Sequence, residues 1–308
     1  MGQIDWEPGY IRLARSGELA RRAIELYSFF RSCHLCPRQC RVNRLKSELG
    51  VCGAGSRVRV ASAHPHFGEE PPLVGFHGSG TIFFSHCNLR CAYCQNWEIS
   101  HRGDGESISD AALARIMLRL QVSGCHNINL VTPTHYVPNI VQALRTAVPR
   151  GLRVPLVYNC SGYEPLEVLR LLDGVVDIYL ADFKYSDPDA ADKYSCGARD
   201  YPEIAASAVS EMHRQVGDLT MDGNGIALRG LMLRHLVLPN GKAGAGQFVR
   251  FVAEKLGRST YVNIMPQYRP QHDARKYPEL SRAITREEYL RAVSLARAAG
   301  LENLDLRR

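Results

Sequence analysis

Short apolar runs alternate with amphipathic stretches along the chain from about residue 79 onward. Each run is rich in Val, Ile, Leu, Phe or Tyr, as expected for strands buried on both faces of a parallel sheet. Six strands are predicted: Thr81–Ser85, Asn127–Thr132, Val154–Asn159, Val176–Asp182, Leu231–Leu238 and Tyr261–Met265. Helical patterns occur at 109–122, 138–147, 164–172, 200–216, 245–257 and 286–299. This alternation predicts a parallel sheet with right-handed crossovers.

The number of strand–helix units decides between two α/β architectures. Six units are too few to close an eight-stranded barrel. We therefore expect an open, partial (β/α)6 TIM-like barrel over residues 79–308, with a doubly wound sheet as the alternative. The chain contains no run of 18 apolar residues, so no membrane span is predicted.

The part of the chain before the barrel has a different pattern. Residues 1–60 are predicted to form a small N-terminal module, with an amphipathic helix at 8–31 and a Cys-rich segment to about residue 55. Residues 61–78 are predicted to be a connector that crosses the barrel entrance. It carries Glu69 and Glu70, and a paired acid–base role is disfavoured because adjacent carboxylates point apart in an extended segment.

Charge is uneven along the chain. The net charge is +7, and most of the positive excess lies in the first 60 residues. Such a basic region could bind nucleic acid or an acidic protein surface. We favour a different explanation, because arginines among clustered cysteines compensate the negative charge of metal-bound thiolates. Nucleic acid stays a weaker alternative, since no aromatic residues are interleaved with the basic ones.

The spacing Cys87-x3-Cys91-x2-Cys94 is the strongest chemical signal in the chain. Three thiolates can hold three irons of a [4Fe–4S] cluster and leave the fourth iron open to a non-protein ligand. Zinc is the alternative metal, with His86 or His101 as its fourth ligand. The triplet directly follows the first predicted strand, in a loop at the carboxyl end of the barrel, where ligands gather. This position favours a cofactor over a zinc knuckle.

The spacing of the other cysteines is less specific for one function. Cys33, Cys36, Cys40 and Cys52 have the spacing of a four-thiolate metal site, and zinc and an iron–sulfur cluster fit it equally well. Cys196 lies in a polar loop after the fourth strand and is a weak candidate for hydrogen-atom donation or substrate binding. Ten cysteines without a signal peptide indicate thiols in a reducing cytoplasm.

Together these features resemble the radical SAM superfamily, and most closely the PflX-type branch of the proteins related to pyruvate formate-lyase activating enzyme. The segments that carry the resemblance are CHLCPRQCRVN (33–43), HFGEEPPLVG (66–75), GSGTIFFSHCNLRCAYCQNWEIS (78–100), NINLVTPTHYVP (127–138), VYNCSGYE (157–164), VDIYLADFKYSD (176–187), RGLMLRHLVLP (229–239) and YVNIMPQYRP (261–270). The resemblance implies a [4Fe–4S] cluster that binds S-adenosylmethionine (SAM). It also implies reductive cleavage of SAM to a 5′-deoxyadenosyl radical, which abstracts hydrogen from a substrate.

The same resemblance assigns residues to SAM binding. These are Tyr93, Thr132, Thr134, Asn159, Ser161, Asp182, Lys184, Arg234 and Tyr268. Two departures stand out. A Gly-Gly-Glu motif that binds the SAM amino group in relatives is replaced by Thr132-Pro133-Thr134-His135, so Thr132, Thr134 or nearby backbone carbonyls are expected to take its place. Asn159 stands where related activases have an aspartate.

The resemblance leaves the substrate open. It implies a one-electron donor such as flavodoxin or ferredoxin, and it makes a glycyl residue of a partner enzyme the first substrate hypothesis. The long N-terminal module is unlike that of the short activases, so another peptide, RNA or a small molecule remains an alternative. A non-catalytic iron–sulfur protein with a redox or partner-binding role is the alternative from a different class.

Overall fold

The structure, a computed structural model, describes residues 6–306. Its helices are α1 (Gly9–Arg15), α2 (Glu18–Ser28), α3 (Pro71–Val74), α4 (Asp110–Val122), α5 (Val137–Ala147), α6 (Leu166–Leu171), α7 (Pro188–Tyr194), α8 (Tyr201–Val216), α9 (Ala245–Phe251) and α10 (Arg286–Ala298). Its strands are β1 (Val58–His66), β2 (Ser79–Phe84), β3 (Glu106–Ile108), β4 (Ile128–Val131), β5 (Leu156–Cys160), β6 (Ile178–Asp182), β7 (Thr220–Met221), β8 (Ala227–Leu236), β9 (Tyr261–Met265) and β10 (Leu304–Asp305). Among the described helices, none combines the length and the apolar character that a membrane crossing requires.

The strands form a mixed sheet in the order β10-β9-β8-β6-β5-β4-β2-β1-β3, with β7 paired to β8. Pairing is parallel from β2 through to β10. It is antiparallel where β1 and β3 extend the sheet beyond β2. The six core strands β2, β4, β5, β6, β8 and β9 are the six that the apolar pattern predicts. The expected α/β class, with a parallel-dominated sheet as in a partial barrel, is confirmed.

Alternate residues of the core strands face two separate hydrophobic clusters. Val157, Leu180 and Met232 belong to an inner cluster, which also includes Leu73 of α3. Their neighbours on the same strands, such as Tyr158 and Tyr179, belong to the larger cluster under the helices. The two-residue period of a strand therefore separates an inner barrel surface from an outer one. Residues on the inner surface near the carboxyl strand ends are the ones that reach the candidate site.

The connector lies at the opposite end of the barrel from the one we expected. β1 is antiparallel to β2, and His66 pairs with Ser79, the first residue of β2. Residues 67–78 therefore turn at the amino ends of the strands. Leu73 is fully buried in the inner cluster, and its carbonyl accepts a hydrogen bond from Asn127 Nδ2 at 2.8 Å. The expectation of a connector across the entrance is wrong, because it depended on a pairing direction that the sequence does not show.

The N-terminal helix is also different from the prediction. The single helix predicted at 8–31 is divided into α1 and α2 at Gly17, whose φ is +79°. Glycine adopts this left-handed conformation without steric cost, so it ends α1 and redirects the chain. Gly9 N–H donates to Asp177 Oδ1 (2.9 Å), and Tyr10 OH donates to the Val154 carbonyl (2.7 Å). The N-terminal helices are thus docked on the barrel.

Smaller differences concern element boundaries. The helix predicted at 164–172 begins only after Pro165 and ends at Leu171. The helix predicted at 245–257 is α-helical to Phe251 and continues as a π-helical turn to Leu256. β1 crosses the predicted division between residues 60 and 61, and the division into module, connector and barrel stays a prediction.

Candidate functional site

The cysteine triplet lies in the loop that follows β2, at the carboxyl end of the core strands. Cys91 is buried, and Cys87 and Cys94 are partly buried. Burial raises the pKa of each of these thiols, so their thiolate forms need a nearby cation such as a bound metal. Each sulfur has a hydrogen-bonding neighbour. These neighbours are the Leu89 N–H (3.4 Å from Cys87 Sγ), the Ser195 hydroxyl (3.1 Å from Cys91 Sγ) and the Ser100 hydroxyl (3.1 Å from Cys94 Sγ).

The triplet borders a cavity of about 280 Å³ at the mouth of the barrel. The carboxyl ends of all six core strands contribute to its wall. The sequence-predicted residues that line it are Cys87, Cys91, Tyr93, Cys94, Thr132, Asn159, Ser161, Asp182, Lys184 and Arg234. Apolar side chains such as Phe84, Leu236 and Met265 complete the wall. The fold thus collects residues that are far apart in the sequence into one cavity.

A partly buried charge network forms one side of this cavity. Asp182 Oδ1 accepts from Arg234 Nε and Asp182 Oδ2 accepts from Lys184 Nζ, both at 2.7 Å. Arg234 Nη2 also donates to Asn159 Oδ1 at 2.6 Å. Burial alone would raise the pKa of Asp182, but the two cations hold it at about 2. The carboxylate is therefore ionised, and it anchors two cations that are able to bind an anionic group.

Tyr93 and Tyr268 form an aromatic pair next to the triplet. Tyr93 lines the cavity, and its ring centroid is 5.7 Å from that of Tyr268 in an edge-on contact. Tyr268 is fully buried, and its hydroxyl donates to the Leu280 carbonyl at 2.7 Å. Tyr268 is not among the cavity-lining residues. Tyr268 is therefore placed to support the Tyr93 ring and not to contact a cavity ligand directly.

The two threonines after β4 have different positions. Thr132 lines the cavity with a left-handed φ of +59°, which is rare and strained for a β-branched residue. Its N–H donates to the Asn159 carbonyl at 2.9 Å. Thr134 lies outside the cavity, and its hydroxyl donates to Glu164 Oε1 at 2.5 Å. Only Thr132 is therefore placed to contact a cavity ligand directly.

Cys196 is exposed and does not line the cavity. Its neighbour Ser195, which the sequence did not single out, contacts Cys91 of the triplet instead. No spacing signal could have revealed this contact, because Ser195 and Cys91 are 104 positions apart. Gln95 was missed for the same reason; its Nε2 donates to the Gln267 carbonyl at 3.0 Å.

The quartet Cys33, Cys36, Cys40 and Cys52 lies in residues 32–57, where one 3-10 turn at Arg44–Lys46 is the only regular element among the described residues. Cys40 is partly buried, and the other three are buried. Burial raises the pKa of Cys36, and the neighbouring Cys52 adds to this effect. Backbone N–H groups lie 3.4 Å from two of the sulfurs, Cys40 Sγ and Cys52 Sγ. The four cysteines are therefore close neighbours in one site.

Neither cysteine group converges on one point. In residues 6–306, no three His, Cys, Asp or Glu side chains are close enough to bind a single metal ion. A cubic cluster has a different requirement, because each cysteine binds a different iron and the sulfurs stay apart.

Arg38 connects the two cysteine groups. It lies within the quartet, and its guanidinium donates to three backbone carbonyls around the triplet. These carbonyls belong to Asn88 (3.0 Å), Ser195 (2.8 Å) and Cys196 (2.7 Å). The quartet is thus held against the loop that carries Cys87, Cys91 and Cys94.

Comparisons with known proteins agree with this chemistry. A model of the radical SAM superfamily matches residues 81–222. The uncharacterized protein MJ0674 of Methanocaldococcus jannaschii is 31% identical over 285 residues, which cover 89% of this chain and 77% of the relative. A second uncharacterized protein of that organism, MJ0808, is 23% identical over 299 residues, with 88% and 82% covered.

Among solved structures, HydG, a maturase of the [FeFe]-hydrogenase, is similar with a TM-score of 0.49 and 14% identity. The similarity covers 72% of this chain and 50% of HydG, so this chain spans about half the length of that protein. The family match includes the triplet and the charge pair after β6, and the first relative is similar along most of both chains. On these grounds, the chain belongs to the radical SAM superfamily.

Proposed function

We propose that this enzyme binds a [4Fe–4S] cluster through Cys87, Cys91 and Cys94 and binds SAM in the adjoining cavity. The observation that carries the proposal is the presence, around one cavity, of three thiols and of two cations anchored by one partly buried carboxylate. When bound, the cluster and SAM supply reductive cleavage of SAM to methionine and a 5′-deoxyadenosyl radical, which abstracts hydrogen from a substrate.

The residues of the cavity fit these groups. Ser161 Oγ is buried at the cavity and has no hydrogen-bond partner among the described residues. An unsatisfied buried hydroxyl is costly unless a ligand or water bonds to it. Lys184 and Arg234 suit the methionyl carboxylate of SAM. Thr132 offers a hydroxyl and a carbonyl to its ammonium, and Tyr93 offers a ring beside the adenine.

The surrounding side chains hold this arrangement in place. Asp182 fixes the positions of Lys184 and Arg234, so both cations are preorganised before a ligand enters. Hydroxyls of Ser195 and Ser100 lie within hydrogen-bonding distance of Cys91 and Cys94. Hydrogen bonds to cluster thiolates favour the reduced state of a cluster.

The test is anaerobic turnover. The reconstituted protein, with a chemical reductant and SAM, is expected to release 5′-deoxyadenosine, and Cys91→Ala is expected to release none. Cys125→Ala is the matched control, because Cys125 is a buried cysteine outside the cavity. A wild-type protein that carries a full cluster but yields no 5′-deoxyadenosine would instead support a non-catalytic redox or partner-binding role.

We propose that the chain belongs to the PflX-type branch of the superfamily. As the first hypothesis for the substrate, we propose a glycyl residue of a partner enzyme. The Asp182-Phe183-Lys184 segment and its ion pair support an activase-like site. We propose a flavodoxin or ferredoxin as the electron donor. Turnover with candidate partners in deuterated form should transfer deuterium into 5′-deoxyadenosine and give a glycyl radical signal in electron paramagnetic resonance. Deuterium transfer without that signal would direct the search to another peptide, RNA or a small molecule.

For the quartet, we propose an iron–sulfur cluster in preference to zinc. The support is its likeness to the triplet: four neighbouring cysteines, with backbone N–H groups near two of the sulfurs. Anaerobically purified Cys36→Ser protein is expected to lose about half of the iron and acid-labile sulfide and no zinc. Loss of one zinc per chain with unchanged iron would exclude the second cluster.

A further inference from the structure

Glu69 of the connector reaches the charge network from the inside of the barrel. Its side chain is only 9% exposed, and its Oε2 lies 3.2 Å from Arg234 Nη1. Asn159 Nδ2 lies 3.5 Å from Glu69 Oε1. Glu69 itself does not line the cavity. It therefore contacts two cavity residues from behind, on the side away from a ligand.

Arg234 is held by three different partners. Its Nε donates to Asp182 Oδ1 on β6, its Nη2 to Asn159 Oδ1 on β5, and its Nη1 to Glu69 Oε2 on the connector. The three nitrogens of the guanidinium thus have separate acceptors. Because the guanidinium is a rigid plane, three directed contacts fix its orientation as well as its position.

Charge balance gives Glu69 a second effect. Arg234 and Lys184 are two partly buried cations, and Asp182 is the only carboxylate among the described residues that line the cavity. A buried cation without a compensating anion is strongly unfavourable. Burial raises the pKa of Glu69, and the Arg234 guanidinium opposes this by favouring the carboxylate. In that form Glu69 supplies the additional negative charge, and the neighbouring Glu70, 2% exposed, adds to the negative potential at Arg234.

We propose that Glu69 is a positioning residue of the SAM cavity, which acts on SAM through Arg234. The proposal rests on the proposed function of the cavity in binding SAM. Glu69 orients the guanidinium towards the methionyl carboxylate and supplies the charge that Asn159, an uncharged amide at the end of β5, does not. The cavity is thus completed by a segment that enters from the opposite end of the barrel.

The experiment measures SAM affinity of the cluster-loaded protein by equilibrium dialysis under anaerobic conditions. Glu69→Gln keeps the size of the side chain and removes its charge. The dissociation constant for SAM is expected to rise about tenfold, as for the loss of one charge-assisted contact. The double variant Glu69→Gln, Asn159→Asp returns a carboxylate to Arg234 from a neighbouring position, and its affinity is expected to recover to within about threefold of the wild type.

Asp177→Asn is the control for a purely structural effect. Asp177 is a buried carboxyl just before β6, bonded to the N–H groups of Gly9 and Leu156. Its variant is expected to lower thermal stability and leave SAM affinity unchanged. If the Glu69→Gln variant does not fold, the double variant tests the proposal by itself. Wild-type affinity of the double variant for SAM would support the proposal, and a loss of affinity would contradict it.

Two results would overturn the proposal. One is a Glu69→Gln protein whose SAM affinity is unchanged, and the other is a double variant that does not recover. In both cases wild-type binding and cleavage of SAM would still support the proposed function. A wild-type protein that does not bind SAM would overturn the proposed function together with this inference.

Discussion

The triplet and the quartet of cysteines are similar in chemistry and different in how the fold supports them. Cys87, Cys91 and Cys94 follow β2, and hydrogen bonds attach their loop to the rest of the barrel: Ser85 N–H donates to the Arg59 carbonyl of β1, and Ala92 N–H donates to the Tyr194 carbonyl. The quartet lies in residues 32–57, where a single 3-10 turn is the only described regular element. A loop anchored by a sheet keeps its shape without metal, whereas a segment without its own core needs a cross-link. We therefore expect the triplet to serve the chemistry of the protein and the quartet to stabilise its structure.

The largest expected effect is a loss of activity, without a loss of stability, when a cysteine of the triplet is replaced. Cys91→Ala should lower formation of 5′-deoxyadenosine at least about 1,000-fold, because the cluster loses one of its three ligands. The barrel should stay folded, since the core strands do not depend on this loop. Product assay by chromatography and circular dichroism check the two parts. A variant that is both inactive and unfolded would contradict the comparison.

At the quartet, a substitution should affect local stability more than activity. Cys36→Ser should destabilise residues 32–57 by about 3 kcal/mol or more, because a metal cross-link is lost from a segment without its own core. Hydrogen exchange read separately in residues 32–57 and in β5 and β6 measures this difference. Cys125→Ser is the matched control, a buried cysteine outside both groups. Equal protection of the segment in variant and wild type would show that no metal supports it.

Arg38 tests how strongly the two regions are connected. Arg38→Ala removes three charge-assisted hydrogen bonds to the carbonyls of Asn88, Ser195 and Cys196. We expect a loss of about 2 kcal/mol in the free energy of unfolding and faster loss of the triplet cluster to a chelator. Arg41→Ala is the control, because Arg41 is exposed and bonds to the nearby Gln39. Identical behaviour of the two variants would mean that the regions are independent.

The smallest expected effect concerns Thr132, whose strained backbone places its hydroxyl at the cavity before a ligand binds. Thr132 has a left-handed φ of +59°, so Thr132→Gly should raise the free energy of unfolding by about 1 kcal/mol through relief of strain. SAM affinity should fall a few-fold, because the hydroxyl at the cavity is lost. Thr132→Ser keeps the hydroxyl and should bind SAM almost as the wild type does. Weaker binding by the serine variant than by the glycine variant would exclude the hydroxyl as a ligand.

The sequence predicted the fold better than it predicted the contacts of the site. The apolar runs identified all six core strands, because buried parallel strands are nearly continuous in hydrophobicity. The single helix at 8–31 was wrong, since one glycine was enough to divide it. Among the proposed SAM residues, the structure brings Tyr93, Thr132, Asn159, Ser161, Asp182, Lys184 and Arg234 to the cavity and leaves Thr134 and Tyr268 behind it. A side-chain direction after a strand end depends on local backbone angles, which spacing does not show.

By itself, the sequence determined the α/β class and the strand ends that supply the polar residues, and it predicted radical SAM chemistry for the Cys87-x3-Cys91-x2-Cys94 loop. These features are local, because they depend on spacing and on periodicity along the chain. Only the tertiary structure brought Ser195 to Cys91 and placed Glu69 behind Arg234. The second contact depends on the antiparallel pairing of β1, which turns the connector into the amino end of the barrel. Pairing direction is decided by long-range contacts, so it cannot be read from any one segment.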